Sequence, residues 1–262
     1  MFNMQERVHK IIKHLSGAVV AFSGGTDSAV LLRLAASALD GRLLAVTAVG
    51  PIYVPGDTER ARSLAAAWGI LHYEIDLGPL SDPAFRANGP DRCYLCKRAL
   101  FAALRRIAGE SGLPHVLDGT NAEDARAFRP GLAAAAEFGV QSPLREAGLT
   151  KDGVRRLARD LGVPDPDRPA ESCLCTRIPY GRELTAECLA QVRDGEGLLR
   201  NLGFSTVRLR HHGDLARIEV SPGEIGRLLD EALRVRVREG LAALGFRFVT
   251  VDLGGYRSGC FD

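Results

Sequence analysis

The chain has 262 residues, which is long enough for one large domain or two smaller ones with a substantial core. Hydrophobic residues make up 46% of it and charged residues 25%, as in ordinary soluble globular proteins. A formal net charge of +2 gives no reason to expect general nucleic-acid binding. No apolar run approaches membrane-spanning length, and residues 1–15 mix charged with apolar residues. We therefore expect a cytoplasmic protein with no membrane contact.

Strand-like and helix-like segments alternate through the first part of the chain. The predicted strands cover 17–22, 43–49, 72–77 and 115–118. The predicted helices cover 29–39, 57–68, 94–111, 133–138 and 151–161, with Asp57 as an N-cap and a turn-rich link at 78–90. This alternation predicts an α/β fold with a doubly wound parallel sheet, whose ligand binds at the carboxyl ends of the strands.

The pattern changes after residues 164–169, a joint rich in proline and charge. Beyond it we predict a helix from Thr185, strands at 206–210 and 216–220, a helix at 224–244 and a strand at 246–252. This order predicts a second, smaller α+β domain. We place the boundary at the joint, so that the domains cover 1–165 and 166–262.

The turn after the first strand has the sequence Ser-Gly-Gly-Thr-Asp-Ser at residues 23–28. A strand that turns through Gly24 and Gly25 into a helix leaves backbone N–H groups pointing at one spot, which suits an anion. The glycines allow a close approach, and the hydroxyls of Ser23 and Ser28 add donors. The turn is neither a Walker A loop nor a G-x-G-x-x-G loop. It resembles the pyrophosphate-binding loop of the ATP pyrophosphatase (PP-loop) family, whose members split ATP into AMP and pyrophosphate.

The cysteines are the second candidate for chemistry. Six cysteines in a cytosolic chain are expected to be ligands or reactive thiols rather than disulfides. Cys93 and Cys96 stand at the start of a predicted helix, where basic neighbours and the helix N-terminus favour the thiolate form. Alone, this pair is compatible with a zinc site, a redox pair or chance. Cys173, beside the joint, is a candidate nucleophile or ligand, whereas Cys188 and Cys260 are expected to be thiols without a role.

Several stretches in a fixed order make a more specific match. They are the loop at 23–28, Arg-Cys-Tyr-x-Cys-Lys at 92–97, Asp-Gly-Thr-Asn at 118–121, Arg-Pro-Gly at 129–131, Ser-Pro-Leu at 142–144, Pro-Ala-x-x-Cys-Leu-x-Thr-Arg-Ile-Pro-Tyr-Gly at 169–181 and Gly-Tyr-Arg-Ser-Gly at 255–259. Together they resemble the LarE family of ATP-dependent sulfur-inserting enzymes over nearly the full chain. Arg168 stands where that family has lysine, a change that we do not expect to touch the chemistry.

The resemblance implies a reaction in which ATP and Mg²⁺ adenylate a carboxylate of pyridinium-3,5-biscarboxylic acid mononucleotide, after which sulfur displaces AMP. It implies that Asp27 helps to position Mg²⁺. It also implies that ATP or pyrophosphate is bound by Ser23, Gly24, Gly25, Asp27, Ser28, Asn121 and Arg129. The implied partners are the small-molecule nucleotide substrate, a sulfide donor and further copies of the chain in a homo-oligomer. The domain at 166–262 would then serve substrate binding and oligomerisation.

The resemblance offers two roles for the cysteines. In one branch of the family a single cysteine at the Cys173 position gives up its own sulfur. In the other branch three cysteines hold a [4Fe-4S] cluster that carries an exogenous sulfide. Because Cys93 and Cys96 accompany Cys173, we place this chain in the cluster branch, with Cys173 and Asp27 as the catalytic residues. Cys175 is an alternative third ligand, and three thiolates would also suit zinc.

A predicted C-terminal strand carries the candidate substrate residues. Alternate residues of a strand face the same way, so Arg208 and Arg210 project together and suit a phosphate or carboxylate. The resemblance places substrate-phosphate contacts in this segment and adds Glu196 and Glu219. The competing interpretation is an exposed, charged strand face.

Three other functions compete with the main hypothesis. Related PP-loop enzymes thiolate tRNA, but the near-neutral charge and the absence of an added RNA-binding module disfavour nucleic acid as a partner. Single-turnover transfer from Cys173 is a second alternative. A non-catalytic nucleotide or iron–sulfur sensor is the third, and the intact loop at 23–28 disfavours it.

Overall fold

The structure, a computed structural model, describes residues 4–124, 131–169 and 171–257. The chain folds into two compact units. The first contains the chain up to Pro79 together with Pro90–Glu171, and the second contains Leu80–Gly89 and the chain from Ser172 onward. Among the described residues, no helix is both long enough and apolar enough to cross a membrane.

A four-stranded parallel sheet forms the centre of the first unit. Its strands are β1 (Ala18–Ala21), β2 (Leu43–Val49), β3 (His72–Asp76) and β4 (His115–Leu117), in the order β3-β2-β1-β4. The strands β2 and β3 lie on one side of β1, and β4, which comes later in the chain, lies on the other side. Open sheets of this kind bind their ligands where the strand order reverses, at the carboxyl ends of the strands. The end of β1 is that position here.

Helices pack on both faces of this sheet. In chain order the α-helices of the described residues are α1 (Met4–Ile12), α2 (Thr26–Ala38), α3 (Pro55–Ala67), α4 (Pro83–Arg86), α5 (Arg92–Glu110), α6 (Gly131–Glu137), α7 (Pro143–Glu146), α8 (Lys151–Asp160), α9 (Ala186–Asn201) and α10 (Glu231–Ala243). Val20 of β1 lies in one apolar cluster with α1, α2 and α8, whereas Val19 lies in a second cluster with α5 and α6. Successive strand residues point to opposite faces, so one short strand supports both layers. The predicted doubly wound α/β fold is confirmed.

The second unit is built on a smaller mixed sheet. Its strands are β5 (Val207–His211), β6 (Leu215–Val220) and β7 (Phe248–Val251), in the order β5-β6-β7. The pair β5 and β6 is antiparallel and the pair β6 and β7 is parallel. Apolar residues of α9 and α10 pack on this sheet and form the core of the unit. The α+β character predicted for this part of the chain is therefore confirmed.

Asp57 is not the N-cap that its residue type predicted. The helix α3 begins at Pro55, and Val54 is its N-cap. Proline fits the first helical position because its missing N–H has no acceptor there. The Asp57 carboxylate instead pairs with Arg168 at 2.8 Å.

The predicted helix at 224–244 is two helices. A 3-10 helix, Pro222–Leu229, comes first, and α10 follows it. Asp230 separates them, and its side chain accepts a hydrogen bond from the Leu233 N–H at 2.9 Å. Aspartate is a favoured N-cap, so it starts the second helix where apolar periodicity alone predicted continuity.

The predicted link at 78–90 contains helical turns and belongs largely to the second unit. It includes a 3-10 helix, Pro79–Ser81, and α4. Asn88 is fully buried, and its amide nitrogen donates to the carbonyl oxygens of Pro179 at 2.9 Å and Arg182 at 3.0 Å. These contacts fasten the segment to residues that lie about 90 positions later in the chain.

Candidate active site

The loop after β1 has the backbone that an anion site needs. Gly24 has a φ of +77°, and a Cβ atom at this position would lie 2.4 Å from the carbonyl oxygen of Asp57. Only glycine fits such a position without strain and collision. Gly25 is the N-cap of α2, and no side chain caps the helix there. The first N–H groups of α2 are therefore available to a ligand, as helix geometry requires.

Two serine side chains support this loop. The hydroxyl groups of Ser23 and Ser28 lie 3.2 Å apart. The Ser23 hydroxyl oxygen accepts a hydrogen bond from the Gly25 N–H at 3.3 Å, and the Ser28 hydroxyl donates to the Gly25 carbonyl oxygen at 3.0 Å. Thus the structure brings together the loop residues that the sequence selected.

Asp27 lies in the first turn of α2 and is held by Asn121. The Asn121 side-chain nitrogen donates to Asp27 Oδ2 at 3.1 Å. Burial raises the pKa of the Asp27 carboxyl above its ordinary value, and the Asn121 hydrogen bond opposes that rise. The Asp124 carboxylate raises this pKa further, whereas the cations of Lys151 and Arg155 lower it. The arrangement places a partly buried carboxylate beside the loop.

The stretch 118–121 positions this contact in ways that the sequence did not reveal. Gly119 packs so closely on the start of α2 that an added Cβ would lie 2.9 Å from the Ser28 nitrogen. Asp118 accepts hydrogen bonds at 2.7 Å from the hydroxyls of Thr120 and Ser142. Asn121 is fully buried, and its side-chain oxygen accepts hydrogen bonds from two backbone N–H groups that follow it. Its predicted contact with ATP stays a prediction.

Two arginines beside the loop were not selected from the sequence. Arg60 of α3 donates hydrogen bonds to the carbonyl oxygens of Gly24 and Pro164. Burial lowers the pKa of Arg60, and the neighbouring Arg168 cation lowers it further. Arg168 pairs with Asp57, whose backbone is next to Gly24. In the sequence, the only indication of this pair was Arg168, which stands where the LarE family has lysine. Nothing in the sequence linked that position to the loop at 23–28.

The predicted cysteine ligands occupy partly exposed positions. Cys93 and Cys96 lie one helical turn apart at the start of α5. Cys173 is partly exposed at the start of a 3-10 helix, Leu174–Arg177, in the second unit, whereas Cys175 is fully buried. The choice of Cys173 over Cys175 as the third thiol stays a prediction. Among the described residues, no group of three or more Cys, His, Asp or Glu side chains is placed to hold a metal ion.

Cys188 has a structural role, contrary to the prediction that it has none. Its sulfur accepts a hydrogen bond from the Thr185 N–H at 3.2 Å, and the Thr185 hydroxyl accepts one from the Cys188 N–H at 3.1 Å. The two residues thereby cap the N-terminus of α9 reciprocally. Cys260 and Arg129, the latter a predicted ATP contact, lie outside the described residues.

The arginines of β5 are buried, so the alternative of an exposed charged face is wrong. Arg208 is only 4% exposed and Arg210 only 5%. Arg210 pairs with Glu219 of β6 at 2.8 Å, and Arg217 pairs with the other oxygen of Glu219 at 3.0 Å. Arg208 lies over the ring of Tyr256, 4.9 Å from its centroid. Arg208 and Arg210 are therefore held in place by their neighbours, and their predicted contact with substrate stays a prediction.

Glu196 also lies in the second unit and is fully buried against Arg177. Burial raises the pKa of Glu196, but the charge and hydrogen bonds of Arg177, with the charges of Arg200 and Arg208, outweigh that effect. The pKa of Glu196 is therefore lowered and the carboxylate is ionised at neutral pH. Its predicted contact with substrate stays a prediction.

Comparison with known proteins adds evidence over the whole chain. A family model described as NAD synthase matches residues 3–108. An uncharacterised protein of Synechocystis sp. is 38% identical over 254 residues, covering 97% of this chain and 95% of that protein. An uncharacterised protein of Methanocaldococcus jannaschii is 30% identical over 241 residues, covering 92% of this chain and 90% of that protein.

The pyridinium-3,5-bisthiocarboxylic acid mononucleotide synthase of Lactiplantibacillus plantarum is 42% identical over 250 residues. That match covers 95% of this chain and 90% of that protein. It spans both units of the structure, including the loop at 23–28 and the strands with the buried arginines. On this evidence, the chain belongs to the LarE family of PP-loop proteins.

Proposed function

We propose that this chain is an ATP-dependent sulfurtransferase that converts the carboxylates of pyridinium-3,5-biscarboxylic acid mononucleotide into thiocarboxylates. The relative in L. plantarum is named for the corresponding bisthiocarboxylic acid mononucleotide, which supports the proposal. The loop at 23–28 carries it, because activation of a carboxylate by ATP requires a site for the departing pyrophosphate. Gly24 and the start of α2 provide that site.

The first half-reaction activates the substrate. A carboxylate oxygen attacks the α-phosphorus of ATP, an O–P bond forms, and the bond to the bridging oxygen breaks so that pyrophosphate leaves with the electron pair. The N–H groups at the start of α2 and the hydroxyls of Ser23 and Ser28 would bind that anion.

Asp27 and the nearby Asp124 provide carboxylates that suit Mg²⁺. One or two carboxylates together with phosphate oxygens are enough for Mg²⁺. Asp27 would hold the ion, and Asp124 is close enough to raise the pKa of Asp27. When bound, the ion would neutralise charge on the phosphate groups. Asn121 keeps the Asp27 side chain in one orientation for this role.

The second half-reaction exchanges oxygen for sulfur. A sulfur nucleophile attacks the acyl carbon, the C–S bond forms, and the C–O bond to AMP breaks, so that AMP leaves with the electron pair. One carboxylate becomes a thiocarboxylate at the cost of one ATP, and the second carboxylate follows in the same way. The attacking sulfur would be sulfide from the donor, and the partly exposed Cys173 would serve this step as a ligand of the cluster proposed next.

We further propose that Cys93, Cys96 and Cys173 hold a [4Fe-4S] cluster, which would supply a site for an exogenous sulfide donor. The first two thiols lie one turn apart and are both partly exposed, which suits a shared metal centre. Three thiolates leave one iron open, where exogenous sulfide could bind. Because the transferred sulfur would then not come from a cysteine, the protein would turn over repeatedly.

The buried arginines of the second unit are the proposed substrate site. Arg208 and Arg210 suit the phosphate or a free carboxylate of the nucleotide. Glu219 holds Arg210 at 2.8 Å and so fixes its guanidinium group. We also propose that residues 166–262, which contain these arginines, mediate homo-oligomer formation.

Pyrophosphate release tests the proposed function. Anaerobically purified protein is mixed with ATP, Mg²⁺ and the pyridinium mononucleotide, with sulfide left out. We expect one equivalent of pyrophosphate to be released per active site only when the mononucleotide is present. The proposal would be refuted if no pyrophosphate were released, or if equal amounts were released with and without the mononucleotide. A nucleotide sensor without catalytic activity would give no release at all.

A further inference from the structure

Arg177 is a cation with no access to solvent. Its exposed fraction is 0%, and so is that of its partner Glu196. The two side chains meet through two parallel hydrogen bonds, from Arg177 Nε to Glu196 Oε1 at 2.8 Å and from Nη2 to Oε2 at 3.2 Å. A buried pair of this kind adds little stability relative to apolar side chains, because both charges lose their hydration. Its presence therefore indicates another role.

The remaining edge of the Arg177 guanidinium faces the segment that carries Cys173. Arg177 Nη1 donates to the Ser172 carbonyl oxygen at 2.8 Å and lies 3.2 Å from the Cys173 carbonyl oxygen. It also lies 3.0 Å from the Thr176 hydroxyl, which itself donates to the Cys173 carbonyl oxygen at 2.8 Å. One cation thus fixes the backbone on both sides of the Cys173 side chain.

Glu196 has no oxygen left over for a ligand. Its Oε1 accepts from Arg177 and from the Leu209 backbone N–H at 3.2 Å. Its Oε2 accepts from Arg177 and from Arg200 at 2.9 Å. With each oxygen engaged twice, the carboxylate is satisfied entirely by the protein.

We propose that the buried pair of Arg177 and Glu196 is a positioning device that holds the Cys173 segment against β5, and that Glu196 does not contact the substrate. This inference rests on the proposed function, in which Cys173 serves sulfur transfer. Glu196 is joined to β5 through Leu209, and Arg210 of β5 donates to the Thr176 carbonyl oxygen at 2.9 Å. The Cys173 segment is therefore fastened to β5, whereas Arg210 is itself held by Glu219 and does not depend on the pair.

Loss of this positioning would slow one half-reaction and not the other, whereas a general loss of fold would slow both. A displacement of about 1 Å at a reacting atom can cost about 100-fold in rate. Adenylation uses the loop at 23–28, whereas sulfur transfer uses Cys173. Loss of the pair should therefore slow the second half-reaction and spare the first.

The test uses Glu196→Gln in the full-length protein, with Arg193→Ala as the control on the same helix. Arg193 is exposed and pairs with its neighbour Asp194. In Glu196→Gln we expect sulfur transfer to fall about 100-fold, while pyrophosphate release stays within about threefold of wild type. Arg193→Ala should leave both rates unchanged. An equal fall in both rates, or no fall in sulfur transfer, would overturn the inference.

Thr176→Val provides a second variant at a partly exposed position. It removes the hydroxyl that joins Arg177 to the Cys173 carbonyl oxygen. We expect the same separation of the two half-reactions at about tenfold, because only part of the support is lost. Equal rates in Thr176→Val and wild type would contradict the proposed arrangement.

Hydrogen exchange separates this inference from the proposed function. The N–H groups of Thr176 and Ile178 donate within the segment, to Cys173 and Cys175 carbonyl oxygens. In Glu196→Gln these amides should exchange about tenfold faster, with no change at the loop 23–28. If the wild-type protein transfers no sulfur, the proposed function fails, and this measurement still decides the positioning role. Unaltered exchange would refute that role by itself.

Discussion

Gly24 is the residue on which the loop geometry depends most. A pair of glycines between an apolar strand and a helix was sufficient to predict a phosphate site, because few other residues permit such a turn. The structure shows why position 24 needs glycine, since the φ of +77° and the nearby Asp57 carbonyl both exclude a side chain. The supporting contact from Arg60 comes from a helix over thirty residues away, and no local pattern predicts it.

Replacing Gly24 with alanine should therefore disrupt the loop. The strained backbone alone costs roughly 1–3 kcal/mol. We expect pyrophosphate release to fall at least about 100-fold, because the N–H groups move away from the anion. Gly56→Ala is the matched control, since an added Cβ there meets nothing within 4 Å. Similar activity of the two variants would contradict the assigned role of Gly24.

Asn121 makes a contact in the structure that its sequence motif did not predict. The stretch 118–121 was selected as part of the family pattern, and Asn121 was predicted to bind ATP. In the structure its amide donates to Asp27, and a residue type alone does not reveal that partner. The contact stabilises the ionised form of Asp27 against the effect of burial.

The variant Asn121→Ala should shift the pH dependence of the reaction. The hydrogen bond lowers the pKa of Asp27, so its loss raises that pKa further above the ordinary value. The acidic form then persists to higher pH, and the acid limb of kcat/KM for ATP should move upward in pH. A pH profile of pyrophosphate release measures this shift. An unmoved acid limb, or one at lower pH, would be inconsistent with it.

At the scale of elements, periodicity located most strands and helices to within a few residues. Two aspartates were misassigned: Asp57, predicted as an N-cap from its residue type, forms an ion pair within a helix, and Asp230 starts a new helix where periodicity predicted continuity. Periodicity also could not show whether the arginines of β5 are buried, because burial depends on the pairing of that strand with β6. Their role as an anion site is therefore a proposal built on the structure.

Arg208→Ala tests that proposal. Charge-assisted hydrogen bonds contribute about 1.5–3 kcal/mol, so the mononucleotide should bind roughly tenfold to 100-fold more weakly. ATP binding should be unchanged, because the loop at 23–28 is intact. Calorimetric titration of each ligand measures both quantities. Arg238→Ala, at an exposed arginine that pairs with Glu239, is the control and should bind both ligands normally. Unchanged mononucleotide affinity in Arg208→Ala would remove β5 from the substrate site.

At the scale of the whole molecule, the chain does not divide at a single point. Composition placed one joint near residue 165, whereas the second unit also includes Leu80–Gly89. That segment joins through Asn88, whose partners lie far along the chain, and no local pattern predicts such a contact.

Iron analysis of anaerobically purified protein tests the cluster. We expect about four iron atoms and four sulfides per chain, and a loss of most of both in Cys93→Ala and Cys173→Ala. Cys188→Ala should keep its iron, because Cys188 caps α9. Colourless protein that contains zinc would contradict the cluster. Conversion of Cys173 to dehydroalanine during the reaction, seen by peptide mass spectrometry, would establish the sacrificial route instead.

The most direct test of the whole account is the mass of the mononucleotide after incubation with the protein, ATP, Mg²⁺ and isotopically labelled sulfide. We expect one oxygen of each carboxylate to be replaced in turn by labelled sulfur, with one AMP and one pyrophosphate formed for each replacement. A mononucleotide of unchanged mass, or sulfur incorporation without ATP cleavage, would contradict it.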